Sequence, residues 1–414
     1  MKFNNINKYK KILKGWNTLK SMKYWNICTF LKRGSITIAM ALVTLLLWLW
    51  ISGFSVPLLG ETTILKYAEA IKAMITDDDI ATHYLDETTF INIAYDKSLV
   101  PVNDEYGFPK GNIAITDREK LAQFLKFANI NKQYKNILMD VYFDPEITTP
   151  TDSVLFSLIA STPRLFIPKH KDALLPDSSI LHKAAYSDYQ ITVSNSDFQK
   201  YPLFARGELS LAAEMYQQHT KHKLCEGWIT GSDNGRLMLK SMIPALTIGA
   251  IPAYNAKGEK VIHNLGEDIL ATDDEFLLNA LLTNKNIIVG DLTEHDLHNT
   301  FKGEVSGPIL HYDTFLSLCL QKHIISPWFI IILITCFSWM IYQIIYSETL
   351  IKVRSSYLRI LITWISFSVI LSLISLTTYY FFSAVFDVFI TSTIFTCYQQ
   401  IINILKKYGK LQNL

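Results

Sequence analysis

The sequence predicts an α/β domain, a mainly parallel sheet with helices on both faces, carried between about four transmembrane α-helices. Three observations predict it. Long apolar runs sit only near the two ends of the 414-residue chain. Strand-like and helix-like segments alternate between them, which implies crossover connections and a parallel sheet covered on both faces. Basic residues cluster beside the apolar runs in a pattern that fixes one topology.

Charged residues make up 18% of the chain, below the roughly 25% of soluble domains. The apolar excess lies in the terminal runs, so the middle reads as an ordinary globular domain able to bury one core. The formal net charge of +2 hides an asymmetry. Lys2, Lys8, Lys10, Lys11, Lys14, Lys20, Lys23, Lys32 and Arg33 precede the first apolar run, and no acid appears before Glu61. Positive flanks stay in the cytoplasm, so the N-terminus reads as inside. This charge is topological, and no nucleic-acid partner is expected.

The leader, residues 1–34, carries Ile6, Tyr9, Ile12, Leu13, Trp16, Leu19 and Met22 near a helical period among lysines. It reads either as an amphipathic helix on an anionic membrane surface or as a disordered basic leader. The first span, 35–57, contains a predominantly apolar run, Ile36–Ser55, of about 20 residues, enough to cross a hydrocarbon core of about 30 Å. Phe54-Ser55-Val56-Pro57 offers no cleavage signal, so the segment is expected to be an anchor and not a signal peptide.

The domain between, 58–326, alternates. Thr88–Tyr95 is strand-like and ends at Asp96. Thr116–Ala128 is helical behind the capping pattern Thr116-Asp117-Arg118-Glu119. Asn136–Phe143 is a buried strand, Thr151–Ala160 a helix, and Arg164–Pro168 a strand. Gln190–Val193 is strand-like and Glu208–Gln218 helical. Asp273–Thr283 is helical with Phe276, Leu277, Leu278 and Leu281 inward, and Asn286–Asp291 is a second buried strand. Cys225 and Cys319 share one compartment but have no spacing pattern, and are expected to be unpaired.

Three spans follow within 327–403: Trp328–Tyr346, Leu358–Phe381 and Ala384–Ile402. Lys352, Arg354 and Arg359 lie between the first two; Lys406, Lys407 and Lys410 lie in or beside the tail, 404–414. Four spans with both ends inside satisfy every basic cluster. Asp387 is expected near the outer interface, since an acid inside a span is costly.

Strand-end acids Asp96, Asp140 and Asp291 would face the ligand crevice of an open parallel sheet. The alternative is that each caps the following turn, and that is the expectation for Asp140 and Asp291. Asp296, His298 and His311 add donor types suited to a ligand or a transition metal, though their spacing matches no zinc pattern. His298 and His311 are the stronger ligand candidates, because an imidazole binds anions, metals or protons. Asp140-Val141-Tyr142-Phe143-Asp144 would set both acids on one face of a strand, but Asp144-Pro145 reads as a turn. No Walker-type loop, His-Glu-x-x-His or Gly-x-Ser-x-Gly occurs. No catalytic residue, metal or cofactor is therefore expected.

Several stretches, in order, resemble the CHASE type 2 family of extracellular sensory domains associated with cyclases and histidine kinases. They are Ile93-Ala94-Tyr95-Asp96-Lys97-Ser98, Gly107-Phe108-Pro109-Lys110, Asn136–Phe143 with Asp140, and Asn286–Asp291. Asp296, His298, Thr300, Gly307 and His311 follow the last. Members typically place one span before the domain and three after it. Lys110 stands where the family commonly has Arg, Lys200-Tyr201-Pro202-Leu203 has Lys for Arg, and Ser306–Tyr312 alters the closing segment. The resemblance implies a sensory domain with Asp96, Asp140, Asp291, Asp296, His298, Thr300 and His311 as ligand-binding residues. It also implies a bacterial inner-membrane location with the domain extracytoplasmic. About a dozen residues follow the last span, so the expectation is a stand-alone form acting through a separate cytoplasmic effector, with a homodimer as one arrangement. The competing readings are a transport or envelope-assembly subunit, and a metal-dependent hydrolase.

Overall fold

The protein is described here by a computed structural model. It describes residues 33–54, 64–71, 79–103, 106, 108–171, 174–189, 200–249, 251–255, 258–272, 274–346, 355–382, 385 and 387–408. The leader to Lys32 with Cys28, Glu61, Gly107, the expected strand Gln190–Val193, Lys352, Arg354 and Lys410 lie outside them. The chain forms two compact units, one holding most of the four long helices and the other Trp50–Ile325 with Tyr379–Val385.

The second unit is built on six parallel strands. They are β1 Thr88–Asn92, β2 Asn136–Met139, β3 Leu165–Lys169, β4 Ala184–Tyr186, β5 Ile262–Asn264 and β6 Asn286–Gly290, in the order β5-β1-β6-β2-β3-β4. The main helices are α1 Arg118–Asn131, α2 Asp152–Ser161, α3 Leu211–Thr220, α4 Glu275–Leu282 and α5 Gly307–Cys319.

Alternation along the strands sends side chains to two separate cores. Phe90, Leu138, Phe166 and Ile288 pack with α3 and α5. Ile91, Ile137, Met139, Leu165, Ile167, Ile287 and Val289 pack with α1, α2 and α4. Each fully buried side chain of this size contributes about 1.5–3 kcal/mol, and burial on both faces is why β2, β3 and β6 read as short apolar runs. Steps from β1 to β2, β2 to β3 and β5 to β6 run one way along the sheet and place α1, α2 and α4 on one face. The return from β4 to β5 places α3 on the other. Crossovers of a single hand produce that arrangement.

Polar ties set the register. Thr88, Asn286 and Asn136 are cross-strand partners at the amino ends of β1, β6 and β2. The Asn136 amide donates to Asn286 Oδ1 (3.0 Å), the Asn286 amide donates to the Tyr312 hydroxyl (3.0 Å), and that hydroxyl meets Thr88 Oγ1 at 2.7 Å. A one-residue slip would break all three bonds, and buried groups left unpaired cost about 1–3 kcal/mol each.

Several expected details shift. The cap of α1 is Asp117, not Thr116: its carboxylate accepts from Glu119 N and Lys120 N. Helix α4 is capped by Asp274 and turns Phe276 outward, 83% exposed, with Leu277 half-exposed, while Leu278 and Leu282 face the core. Starting at Asp274 rotates the apolar stripe away from the expected set. Glu208–Leu209 forms a short strand and the helix begins at Leu211. Antiparallel hairpins the sequence did not announce include Lys97–Asn103 with Pro109–Thr116 and Leu297–Thr300 with Gly303–Ser306. Cys225 and Cys319 are free.

In the other unit four helices are long and apolar enough to cross a membrane: Arg33–Ser52, Pro327–Tyr346, Tyr357–Phe382 and Val388–Lys406. Twenty residues at 1.5 Å rise span about 30 Å. The last helix starts at Val388 and not at Ala384, because the Asp387 carboxylate caps it by accepting from Ile390 N.

Helix α5 begins hard against the carboxyl end of β6. A Cβ on Gly290 would lie 2.4 Å from Pro308 Cγ and 3.4 Å from Asp140 Cβ. Gly290→Ala should therefore destabilise the full chain by about 1–3 kcal/mol through overpacking. Thermal unfolding in detergent reads this, and an unchanged midpoint would mean that α5 does not need the close approach.

Candidate functional site

In an open parallel sheet the strand carboxyl ends border the ligand crevice. Here a cavity of about 700 Å³ opens at that end, within the 300–1,000 Å³ typical of small-molecule pockets. Asp140 follows β2, His170 follows β3, and Ser187, Asp188 and Tyr189 follow β4. Asp291, His295 and Asp296 come from the loop after β6, His298 from the hairpin strand Leu297–Thr300, and His311 from the second turn of α5. Ile113, Ile115, Val141 and Phe143 supply apolar wall.

Asp296 and His298 meet at 2.9 Å (Oδ1 to Nε2), and His298 Nε2 also meets the Tyr189 hydroxyl. The Tyr189 ring stands edge-on to both His298 and His311. His311 Nδ1 meets the Tyr201 hydroxyl at 2.6 Å, and its Nε2 lies 3.6 Å from Asp140 Oδ2. That last separation is longer than a hydrogen bond. The Asp140 carboxyl and His311 Nε2 accordingly have no hydrogen bond among the described residues, although their side chains are only 14% and 4% exposed.

Electrostatics follow from burial. Desolvation pushes the Asp140 carboxyl up to about 8, and the neighbouring Asp296 charge adds to the effect. Desolvation pushes the His311 imidazole down to about 3, with His298 and His170 contributing. Both groups are neutral at pH 7, side by side. The Tyr189 and Tyr201 hydroxyls are raised for the same reason. Asp296 is held by close contact: its backbone oxygen accepts from Gly307 N (2.8 Å), and a Cβ on Gly307 would strike its Oδ2 at 2.1 Å. A carboxylate at a helix start is favoured by the helix dipole.

Of the sequence-derived residues, Asp140, Asp291, Asp296, His298 and His311 line this cavity, and Asp96 and Thr300 do not. Asp96 pairs with Lys120 Nζ (2.6 Å) and accepts from Gly266 N (3.2 Å), tying β1's exit to α1 and to the π-helical turn Leu265–Leu270. Thr300 closes its hairpin by donating to Gly303 O (2.6 Å). Asp291 Oδ1 caps the next turn, accepting from Thr293 N and Glu294 N. Asp140 departs from the expected cap: among the described residues no backbone N–H donates to its side chain. Asp144, four residues on, does cap a turn, accepting from Glu146 N (2.9 Å). Tyr189, Asp188 and His170 were missed, because the strand that presents the first two, β4, is only three residues long.

Among the described residues no group of three or more His, Cys, Asp or Glu side chains is arranged to hold a metal ion. Ser187 Oγ and Asp188 Oδ1 both approach the same His170 nitrogen, Nδ1, at 3.5 and 2.7 Å. A hydrolytic triad needs them on opposite nitrogens. Scanned against protein-family models, curated proteins and solved structures, the chain matches none.

Asp140 gives a signed pH test. Its folded pKa of about 8 lies above its ordinary value of 3.8, so the native state holds an extra proton between those values. The stability this contributes is present below about pH 4 and is lost as pH rises through 8. Asp140→Asn, which cannot ionise, should gain on the parent chain as pH rises from 5 to 8, ending ahead by more than about 1 kcal/mol. Parallel melting curves at the two pH values would refute the assignment.

Proposed function

We propose that the chain is a membrane-anchored sensory protein whose α/β domain binds a small polar molecule in the crevice. The observation that carries this reading is the Asp140–His311 pair. Two polar side chains sit nearly buried, held neutral and without a hydrogen bond to one another, on the wall of a cavity sized for a metabolite. Folding alone does not favour such an arrangement, since unsatisfied buried polar groups cost stability. Perturbed groups in a cleft mark a site.

The reading extends to the route of the signal. Helix α5 carries His311 at the crevice and ends at Cys319, and residues 320–326 lead to the helix Pro327–Tyr346. That connector is pinned within the domain: His323 Nε2 meets Asp233 Oδ2 at 3.1 Å, and Ile325 N donates to Leu237 O (2.9 Å). A ligand that moves α5 therefore pulls on a short, tied segment. The resemblance to CHASE type 2 domains supports the same reading. Under it the domain is extracytoplasmic, the location is the bacterial inner membrane, and the output is a separate cytoplasmic effector. The basic flanks support the orientation.

Reporter fusions should read cytoplasm after Lys23 and after Lys407, and outside at Asn195; a cytoplasmic signal at Asn195 would sink the extracytoplasmic reading. Native mass spectrometry of the full chain, released from its own membranes, should reveal a small bound molecule that Asp140→Asn combined with His311→Phe loses. A chain that carries none, and whose melting no metabolite extract shifts, is not a sensor of this kind.

A further inference from the structure

We propose that the ligand of the crevice is a small organic cation, an amine or amidine rich in N–H donors, gripped between Asp140 and Asp296. The proposal rests on the binding reading above and names the chemistry of that same site. It follows from an inventory of which hydrogen-bonding groups on the cavity wall are already used.

The nitrogen donors of Arg118, His170 and His298 are spent, while Lys97, His295 and Tyr142 lie exposed on the lining. Arg118 is buried with its guanidinium on Asp152 Oδ2 (2.6 Å) and on Ile147 O (2.9 Å). His170 faces Asp188, His298 faces Asp296 and Tyr189, and His311 uses Nδ1 on Tyr201. The acceptors are not spent. Neither oxygen of Asp140 has a hydrogen-bond partner among the described residues, nor does Asp296 Oδ2, whose sibling Oδ1 holds His298. His311 Nε2, on a side chain only 4% exposed, is also unfilled.

Charge points the same way. Five carboxyl residues line the cavity, Asp140, Asp144, Asp188, Asp291 and Asp296, against two fixed cations, Lys97 and Arg118. Arg118 is already neutralised by Asp152, which lies outside the lining. An anionic ligand would meet four other carboxyl residues and, in the nearly buried part of the wall, only the O–H of a protonated Asp140 as a free oxygen donor; a cation meets carboxylates it can satisfy with charge-assisted hydrogen bonds. The half-exposed Tyr142 ring on the same wall suits an ammonium or amidinium face.

Binding of a cation is then linked to a proton. The groups facing Asp140 are His311 from α5, Asp296 and His298 after β6, His170 after β3, and Asp188, Tyr189 and Tyr201 beyond β4. A cation beside Asp140 favours its ionised form, so binding below pH 8 expels its proton. Affinity rises with pH between 6 and 8, by up to about tenfold per unit for one linked proton.

The test is isothermal titration of the full chain in detergent with putrescine, agmatine and spermidine, alongside glucose and succinate. Putrescine and agmatine keep their charge across the pH range used, so the pH dependence is read from them. The expected result is saturable binding of at least one amine, tighter at pH 8 than at pH 6, with proton release seen as a dependence of the heat on buffer. Asp140→Asn and Asp296→Asn should each weaken it by about tenfold or more. Melting curves will establish that both variants fold. Binding of succinate or glucose without any amine overturns the cation assignment and leaves the binding domain standing. Amine binding that survives both substitutions, or that is flat in pH, overturns the placement at Asp140. Binding of no probe of any class counts against this inference and the reading beneath it together.

Discussion

The close approach of helix α5 to the carboxyl end of strand β6 is the constraint on which the domain depends. Gly290 and Gly307 have no side chain because Pro308 and the Asp296 carboxylate occupy the space a Cβ would fill. From that start α5 runs down one face of the sheet and its consecutive residues serve different ends. His311 reaches the crevice. Tyr312 closes the Thr88–Asn286–Asn136 ladder at the far end of the strands. Asp313, fully buried, accepts from Ile248 N and Gly249 N and fixes the loop that covers the same face. A shift of this helix would disturb the site, the register and the loop together, because packed interiors resist gradual deformation.

The buried acids separate into two kinds. Asp233 accepts from Tyr216 and faces His222, Arg236 and His323; Asp152 holds Arg118 and Thr149; Asp96 holds Lys120 and Gly266. These are satisfied groups, costly to break. Asp140 differs: its carboxyl has no hydrogen-bond partner among the described residues, only an imidazole nitrogen 3.6 Å away and open cavity. Satisfied carboxylates stabilise a fold, whereas an unsatisfied one is retained where it meets something the fold does not supply. That contrast within one domain, more than the presence of acids at strand ends, distinguishes the crevice from its surroundings.

Much of this was legible in the sequence, for physical reasons. The strands β2, β3 and β6 are buried on both faces, so each is a short apolar run beside polar residues, while β1 has Phe90 and Ile91 between buried threonines and an asparagine. The turn to an acid after β2 and β6 marks where the sheet ends. The four long apolar helices were legible by length and composition. Phe276 and Leu277 were misread because the cap at Asp274 sets the phase of a two-turn helix, and an apolar run cannot show its own phase. The helix α5 was hidden by its polar content: His311, Asp313, Thr314 and Ser317 are all buried, each with a specific partner, which no periodicity reveals. The strand β5 carries a histidine and an asparagine in three residues, and Tyr189 and Tyr201 enter the site from segments without any motif. Cooperative polar networks of that sort exist only in three dimensions.

The sensory reading carries an energetic requirement. A ligand can move a two-state element only by the difference between its affinities for the two states. Driving α5 from about 1:99 to 99:1 would take about 5.5 kcal/mol of that difference. A single ion pair at a surface supplies about 1 kcal/mol or less. A carboxyl that is neutral when the crevice is empty and ionised when a cation fills it ties occupancy to a change of buried charge, which a surface pair does not. Coupling of that strength needs Asp140 and His311 on different elements, β2 and α5, so that a change between them is a change in the position of a helix against a strand. Both residues on one loop could have bound the same molecule, but the binding would have stayed local.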